Sequence, residues 1–308
     1  MASSDENARK GIGDLWDSKT AVSNQMLDIP YEGKKLKSRD CCWWKVYTTV
    51  TYGSNNNRQH LESDIQYFEI SLLSRDDWHA HWIGCDFDDD KLDGHTAIAA
   101  RYLRKEFTLK ENISKARLYI SGLGVYKAYI NREEVAPDEL LKPTLSDYTR
   151  RIYFNAYDVT NMLDTGDNVV RVILEAGRFT TVRHDTNYLE WCGIKHAAHY
   201  GLPQLLLQLE VTYQDGTTDT IVSGEGWRIT NRGPIRKSNE FDGETYDARV
   251  DLGDWDVSGF DESYWAVTMM QTSSAMKLPR SPWPIMPNIL MLPPAAMTIT
   301  RLRPIFSP

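Results

Sequence analysis

The sequence has no run approaching the roughly 18 consecutive apolar residues of a membrane-crossing helix. Its first residues, MASSDENARKG, lack the apolar stretch of a secretory leader, so as written the chain reads as cytoplasmic. If the start is shortened, a periplasmic or secreted location fits equally well. Cysteine is scarce: Cys41, Cys42, Cys85 and Cys192 share no repeated spacing and form no CxxC pair, which argues against a zinc site. Cys41 and Cys42 are adjacent and would point to opposite faces of a strand, so all four are expected as free, mostly buried thiols. The seven histidines contain no HExxH pattern, and His196 and His199 lie in an irregular stretch that does not suggest a metal. Positive charge is in deficit: 35 Lys plus Arg against 43 Asp plus Glu give a net charge of -8, with no basic patch. Phosphate recognition needs such a patch, so neither nucleic acid nor a membrane is expected as a partner.

Helical periodicity is also nearly absent, and strands take its place. Cys42–Val50 and Ile65–Leu73 are β-branched and aromatic, and they bracket a polar turn at 53–57. Tyr102–Leu109 alternates, as does Ala116–Ser121. With Gly122 and Gly124 between them, 116–121 and 125–130 read as a hairpin. Ile152–Tyr157 and the short buried run Val169–Leu174 follow. Gln204–Tyr213 and Asp219–Ser223 flank Asp215-Gly216, a strong hairpin turn. Strands at this spacing predict an all-β protein, a jelly-roll-like β-sandwich. The 308 residues divide into a small β-domain over 1–74, a main sandwich over 75–275, and a Pro/Met-rich linker or irregular tail over 276–308. Ten tryptophans and sixteen tyrosines supply rings with an apolar face and a polar handle, as a sugar-binding surface needs, although strands also favour aromatics for their core.

Several segments then fall into a recognisable order. Trp78-x-Ala80-x-Trp82-Ile83-Gly84, Arg101–Phe107, Ala116–Tyr126, Ser146–Arg151, Tyr157–Thr160 and Asp242–Arg249 resemble the N-terminal, non-catalytic region of bacterial α-L-rhamnosidases. Leu15–Ser18 and Cys42–Val46 resemble the later strands of the fibronectin-type-III-like module that precedes that region, which implies a partial module here. The resemblance implies a role in recognising rhamnose-containing carbohydrate for a catalytic domain of the same enzyme. That family removes terminal α-L-rhamnose with inversion, using carboxylates of an (α/α)-barrel. No such barrel appears before Pro308, so no catalytic residue is assigned and the chain alone is expected to be inactive. The alternative is a purely structural packing domain with no sugar affinity. A stand-alone hydrolase using Asp242 and Glu244 is a third, weaker reading.

The resemblance also implies a rhamnose-binding module, in some members assisted by Ca²⁺, which takes six to eight oxygen ligands. Candidate sugar contacts are Asp147 and Tyr148 in one polar loop, and Asp185, Asn187, Tyr188 and Trp191 in a polar, aromatic insertion between strands. Asp147, Asp185 and Asn187 are the candidate calcium ligands. The bland reading is that Asp147 caps a turn and the insertion is a solvated loop. Where many members carry Gly-x-Gly-Trp-Tyr, this chain has Glu175-Ala176-Gly177-Arg178-Phe179-Thr180, without the aromatic pair. Asp242, Glu244 and Tyr246 are candidates for an active-site rim, against a structural reading in which a turn and an Arg249 ion pair lock the loop to a neighbouring domain. Asp86–Asp90 lacks the spacing of a calcium loop and reads as a solvated acidic turn.

Overall fold

The computed structural model describes residues 1–20, 29–52, 57–88, 98–148, 150–180, 200–239 and 243–271. These residues form two compact units that separate between His79 and Ala80.

In the first unit, helix α1 (Asp5–Arg9) starts at Ser4, whose side chain accepts the Asn7 N–H at 3.1 Å. Asp5 and Glu6 sit in its first turn and Arg9 in its last, as the helix dipole favours. Strand β1 (Cys41–Trp44) pairs antiparallel with β4 (Gln66–Glu69), and β2 (Tyr47–Tyr52) with β3 (Asn57–Glu62). The predicted single strand Cys42–Val50 is therefore two, each committed to a different ladder. Between them the Val46 N–H donates to Ser63 Oγ at 3.0 Å instead of continuing the β1 ladder. Cys42 is buried while Cys41 is partly exposed, as adjacent strand residues must be. In this unit the Asp77 carboxylate accepts from Ser38 Oγ (2.7 Å), the Ser74 N–H (2.8 Å) and Arg39 Nη1 (3.1 Å).

The second unit is an all-β sandwich. Its strands are β5 (Ile83–Gly84), β6 (Arg101–Leu109), β7 (Ile113–Leu123), β8 (Val125–Ile130), β9 (Glu133–Glu134), β10 (Asn155–Asp158), β11 (Gly166–Glu175), β12 (Gln204–Tyr213), β13 (Thr218–Val222), β14 (Arg228–Thr230), β15 (Ile235–Asn239), β16 (Gly243–Tyr246), β17 (Ala266–Val267) and β18 (Met269–Met270). One sheet runs β10-β7-β12-β5-β18 with β13 also on β12, and the other runs β17-β14-β6-β11-β8-β9. Hairpin β15–β16 forms a separate two-stranded ribbon, and a short helix, α2 (Gly177–Thr180), follows β11.

The period-2 alternation of the sequence fills the space between the sheets. Leu118, Ile120, Leu205, Leu207, Leu209 and Val211 of one sheet join Leu103, Ala128, Ile130, Val170, Val172 and Leu174 of the other in a single buried cluster. Fully burying one such aliphatic side chain is worth about 1.5–3 kcal/mol. Trp227 closes the cluster, its Nε1–H donating to the Val222 carbonyl at 2.9 Å.

The hairpin predicted between 116–121 and 125–130 does not form. Strand β7 pairs with β10 and β12, whereas β8 pairs with β11 and β9 in the opposite sheet. Gly124 (φ 137°) carries the chain across, and a Cβ there would lie 2.1 Å from the Glu175 carbonyl oxygen. Gly124 is a corner between sheets and not the turn of a hairpin. The predicted β12–β13 hairpin does form across Gly216 (φ 82°).

Candidate functional site

Strands β7 and β11 end at Leu123 and Glu175, and their antiparallel partners β12 and β6 begin at Gln204 and Arg101. These four chain ends therefore lie on one side of the sandwich. Three of the segments singled out by sequence converge there: the 144–148 loop, the chain leaving β11, and hairpin β15–β16.

The centre of this end is aromatic. Tyr148 packs edge-on against Phe179 (centroids 5.0 Å apart) and tilted against Tyr200 (5.3 Å), while Phe179 and Tyr200 stack at 5.8 Å and 26°. Tyr148 is only 6% exposed, so its ring is a support rather than an open stacking face. Tyr200 is 45% exposed and is the ring of the three that solvent reaches. Backbone geometry fixes it. The Tyr200 N–H donates to the Phe179 carbonyl at 2.9 Å, and Thr180 Oγ1 donates to the Gly201 carbonyl at 2.8 Å. Gly201 adopts φ 144°, where a side chain is strained. Sequence reasoning passed over Phe179 and Tyr200. The departure from the Gly-x-Gly-Trp-Tyr pattern drew attention to what was missing at 177–180, while Phe179 supplies one ring of the cluster.

Asp147 behaves as a turn residue. Its carbonyl accepts the N–H groups of Arg150 and Arg151, both at 2.8 Å, and its carboxylate lies 3.7 Å from Arg150 Nε. The loop is tied down at Ser146, whose Oγ accepts the Tyr153 N–H at 2.9 Å, and at Lys142, whose buried ammonium donates to the carbonyls of Val135 (2.8 Å) and Ala136 (2.9 Å). Asp185, Asn187, Tyr188 and Trp191, together with His196, His199 and Cys192, lie outside the described residues. Among the described residues no three His, Cys, Asp or Glu side chains gather as metal ligands. One carboxylate facing a guanidinium does not make up a calcium shell, so the described oxygens at Asp147 do not by themselves fit the ion.

Hairpin β15–β16 borders the same end. Glu244 and Tyr246 are exposed, pairing across the ribbon with Ser238 and Ile235, and Asp242 lies outside the described residues. The anticipated Arg249 ion pair is local: Nε and Nη2 each reach the Asp247 carboxylate at 2.8 Å, two residues away. That contact holds Asp247 below the usual carboxylate range. At the hairpin's foot, Glu175 accepts a short hydrogen bond from Ser238 Oγ. Burial pushes the Glu175 carboxyl up; the Ser238 hydroxyl opposes this, Glu244 adds to it, and Lys127 opposes it. Glu175 is the carboxyl of this region that burial raises; the predicted buried run stopped at Leu174, and Glu175 was named only as the start of the 175–180 segment.

An all-β sandwich with ring-bearing loops gathered at one end defines a β-sandwich module rather than a catalytic barrel. The chain matches the family described as "Alpha-L-rhamnosidase N-terminal domain" over residues 111–286, and it belongs to that family. Residues 3–74 match a Rha78A-like N-terminal immunoglobulin domain, a sandwich of the same architectural class as the fibronectin-type-III-like module expected from sequence. An α-L-rhamnosidase of Formosa agariphila is 37% identical over 269 residues, covering 86% of this chain and 28% of its own length. The solved α-L-rhamnosidase of Dictyoglumus thermophilum superposes with a TM-score of 0.78 at 32% identity, covering 92% of this chain and 30% of that one. An α-L-rhamnosidase of Streptomyces avermitilis, solved with L-rhamnose, shares the fold with a TM-score of 0.74 at 20% identity, over 90% of this chain and 41% of its own. The chain spans less than a third of the length of the curated relatives it matches.

Proposed function

We propose that the second unit is a carbohydrate-recognition module that holds an L-rhamnosyl group for the catalytic domain of an α-L-rhamnosidase. The observation that carries this reading is the Tyr148–Phe179–Tyr200 cluster, which presents one half-exposed ring on a rigid support beside the polar Asp147 loop. A 6-deoxy sugar has an apolar C–H face and a methyl group that suit such a ring, and hydroxyls that suit a polar rim. The relatives' names agree with the substrate class. In a protein of their length the module would help present terminal α-L-rhamnose for hydrolysis, and the module alone would bind without cleaving. Calcium assistance is part of the proposal, with Asp147, Asp185 and Asn187 as its ligands.

The structural alternative has its own support in the Asp147 carbonyl, which caps two N–H groups, and in the Arg150 contact. Calorimetric titration of the folded chain with L-rhamnose, in calcium and again in EDTA, decides between them. Saturable heat in calcium that EDTA abolishes supports a metal-assisted module, and equal heat in both supports binding without the ion. A folded chain that gives no heat in either buffer is a packing domain.

A further inference from the structure

Three arginines stand in register on adjacent strands of one sheet. Arg228 on β14 opposes Arg104 on β6, and Arg104 opposes Arg171 on β11. Tyr129 on β8 and Glu134 on β9 complete the row. Like charges directly opposite one another are unfavourable in a sheet, so each arginine calls for a compensating acceptor. Two of them have one. Arg104 is held by Glu106, Glu262 and two carbonyls, and Arg228 Nε lies 3.5 Å from Glu262.

Arg171 is different. Its side chain is only 13% exposed, yet among the described residues its guanidinium donates no hydrogen bond. Nε is buried without an acceptor, and Nη2 lies 3.8 Å from Asp256 Oδ2, an ion pair too long for a hydrogen bond. The exposed Arg132 comes no closer to the same oxygen, with its Nε at 3.9 Å. The neighbouring Glu134 is already engaged by Lys142 (3.2 Å) and Lys127 (3.6 Å). Two guanidinium groups therefore share one carboxylate, which hydrogen-bonds to neither of them.

The rings beside Arg171 restrict what can take up its donors. Its guanidinium carbon lies 4.2 Å from the centre of the Tyr129 ring and 4.8 Å from that of Trp255, over both. Rings over the guanidinium plane leave its edge for an acceptor, and a planar carboxylate matches that edge with two parallel hydrogen bonds. We propose that Arg171 and Arg132 form a binding site for the carboxylate of an acidic ligand, with Asp256 as the competitor that the ligand displaces. Asp256 belongs to the irregular segment after Gly253 and is partly exposed, so its side chain can turn to water while the strands stay in place. The site lies on the face of the sheet and does not depend on the rhamnose reading.

Calorimetric titration of the intact chain with D-glucuronate at neutral pH tests the site. D-glucose offers a comparable ring without the carboxylate, and sulfate offers a non-planar anion. Saturable binding of glucuronate is expected, with none of glucose. Asp256→Asn is expected to tighten it severalfold by removing the competitor, a gain that a merely structural ion pair does not give. Arg171→Gln is expected to abolish binding. The exposed Arg132→Gln is expected to weaken it severalfold and decides the matter if Arg171→Gln does not fold. Glucuronate that binds neither the wild type nor Asp256→Asn overturns the site, as does binding that Arg132→Gln leaves unchanged. Equal binding of glucose, or binding of sulfate alone, overturns the carboxylate assignment. A failed rhamnose titration would leave every one of these outcomes untouched.

Discussion

The guanidinium of Arg104 donates to the carbonyl of Val257 at 2.9 Å, joining a central strand of one sheet to a residue 153 positions later. The same fully buried group donates to the Trp255 carbonyl (3.1 Å) and to the carboxylates of Glu106 (2.6 Å) and Glu262, and it lies 5.2 Å from the centre of the Phe260 ring. One side chain thus organises the irregular 255–262 segment on the outer face of the sandwich. Burial raises the Glu106 carboxyl, but hydrogen bonding and charge from Arg104 outweigh it and leave it below the usual range.

Replacing Arg104 by Leu should therefore cost about 1–3 kcal/mol, because it takes the guanidinium from the Trp255 and Val257 carbonyls and from two partly exposed carboxylates, of which Glu106 keeps the Gly259 N–H. Urea denaturation reads this as a lower midpoint with little change in slope. An unchanged midpoint would mean that the network contributes only specificity.

Asp77 gives the first unit an acid-sensitive contact. Burial raises its carboxyl, but hydrogen bonds from Ser38 and the Ser74 N–H, with Arg39, outweigh that and bring it below the ordinary value. A depressed carboxyl contributes stability above its unfolded pKa and loses it as pH falls through the folded one. Asp77→Asn should destabilise the unit by about 1–3 kcal/mol at neutral pH. The gap to wild type should close below about pH 4, as thermal melts across pH would show.

At the corner between the sheets, Gly124→Ala should be among the most damaging small substitutions in the chain. It combines a left-handed φ of 137° with a Cβ 2.1 Å from the Glu175 carbonyl oxygen. A loss of about 3 kcal/mol or more is expected, visible as a lower melting temperature, whereas Gly216→Ala, whose Cβ meets nothing within 4 Å, should cost less.

Tyr200→Ala tests the proposed sugar surface. Its ring is half exposed, so the fold should survive while affinity for L-rhamnose drops about tenfold, or ~1.4 kcal/mol. Phe179→Leu, which removes support rather than the exposed ring, should weaken binding less than it lowers the melting temperature. Titration calorimetry and a thermal melt of each variant separate the two effects.

Much of this was legible in local pattern. Alternation located β6 and β12, Asp215-Gly216 located the β12–β13 turn, and the ordered motifs from Trp78 to Arg249 located the family. These signals are local because a strand's two faces and a turn's positive φ are set by neighbouring residues. The candidate site was legible only in part. The Asp147–Tyr148 loop and the Glu244–Tyr246 segment do gather at one end of the sandwich. That Tyr148 supports and Tyr200 presents the ring was not readable, since burial is decided by what packs from elsewhere.

The sequence by itself determined that this protein is built of strands, where several of the long ones lie, and which family it belongs to. Tertiary structure alone decided that β7 and β8 part into different sheets at Gly124, that Glu175 is covered by a hairpin more than 60 residues away, and that Arg104 holds the 255–262 segment. Alternation tells a strand which face to bury, but it does not name the strand beside it. That choice is made by contacts between distant residues, which become favourable only when the whole core forms.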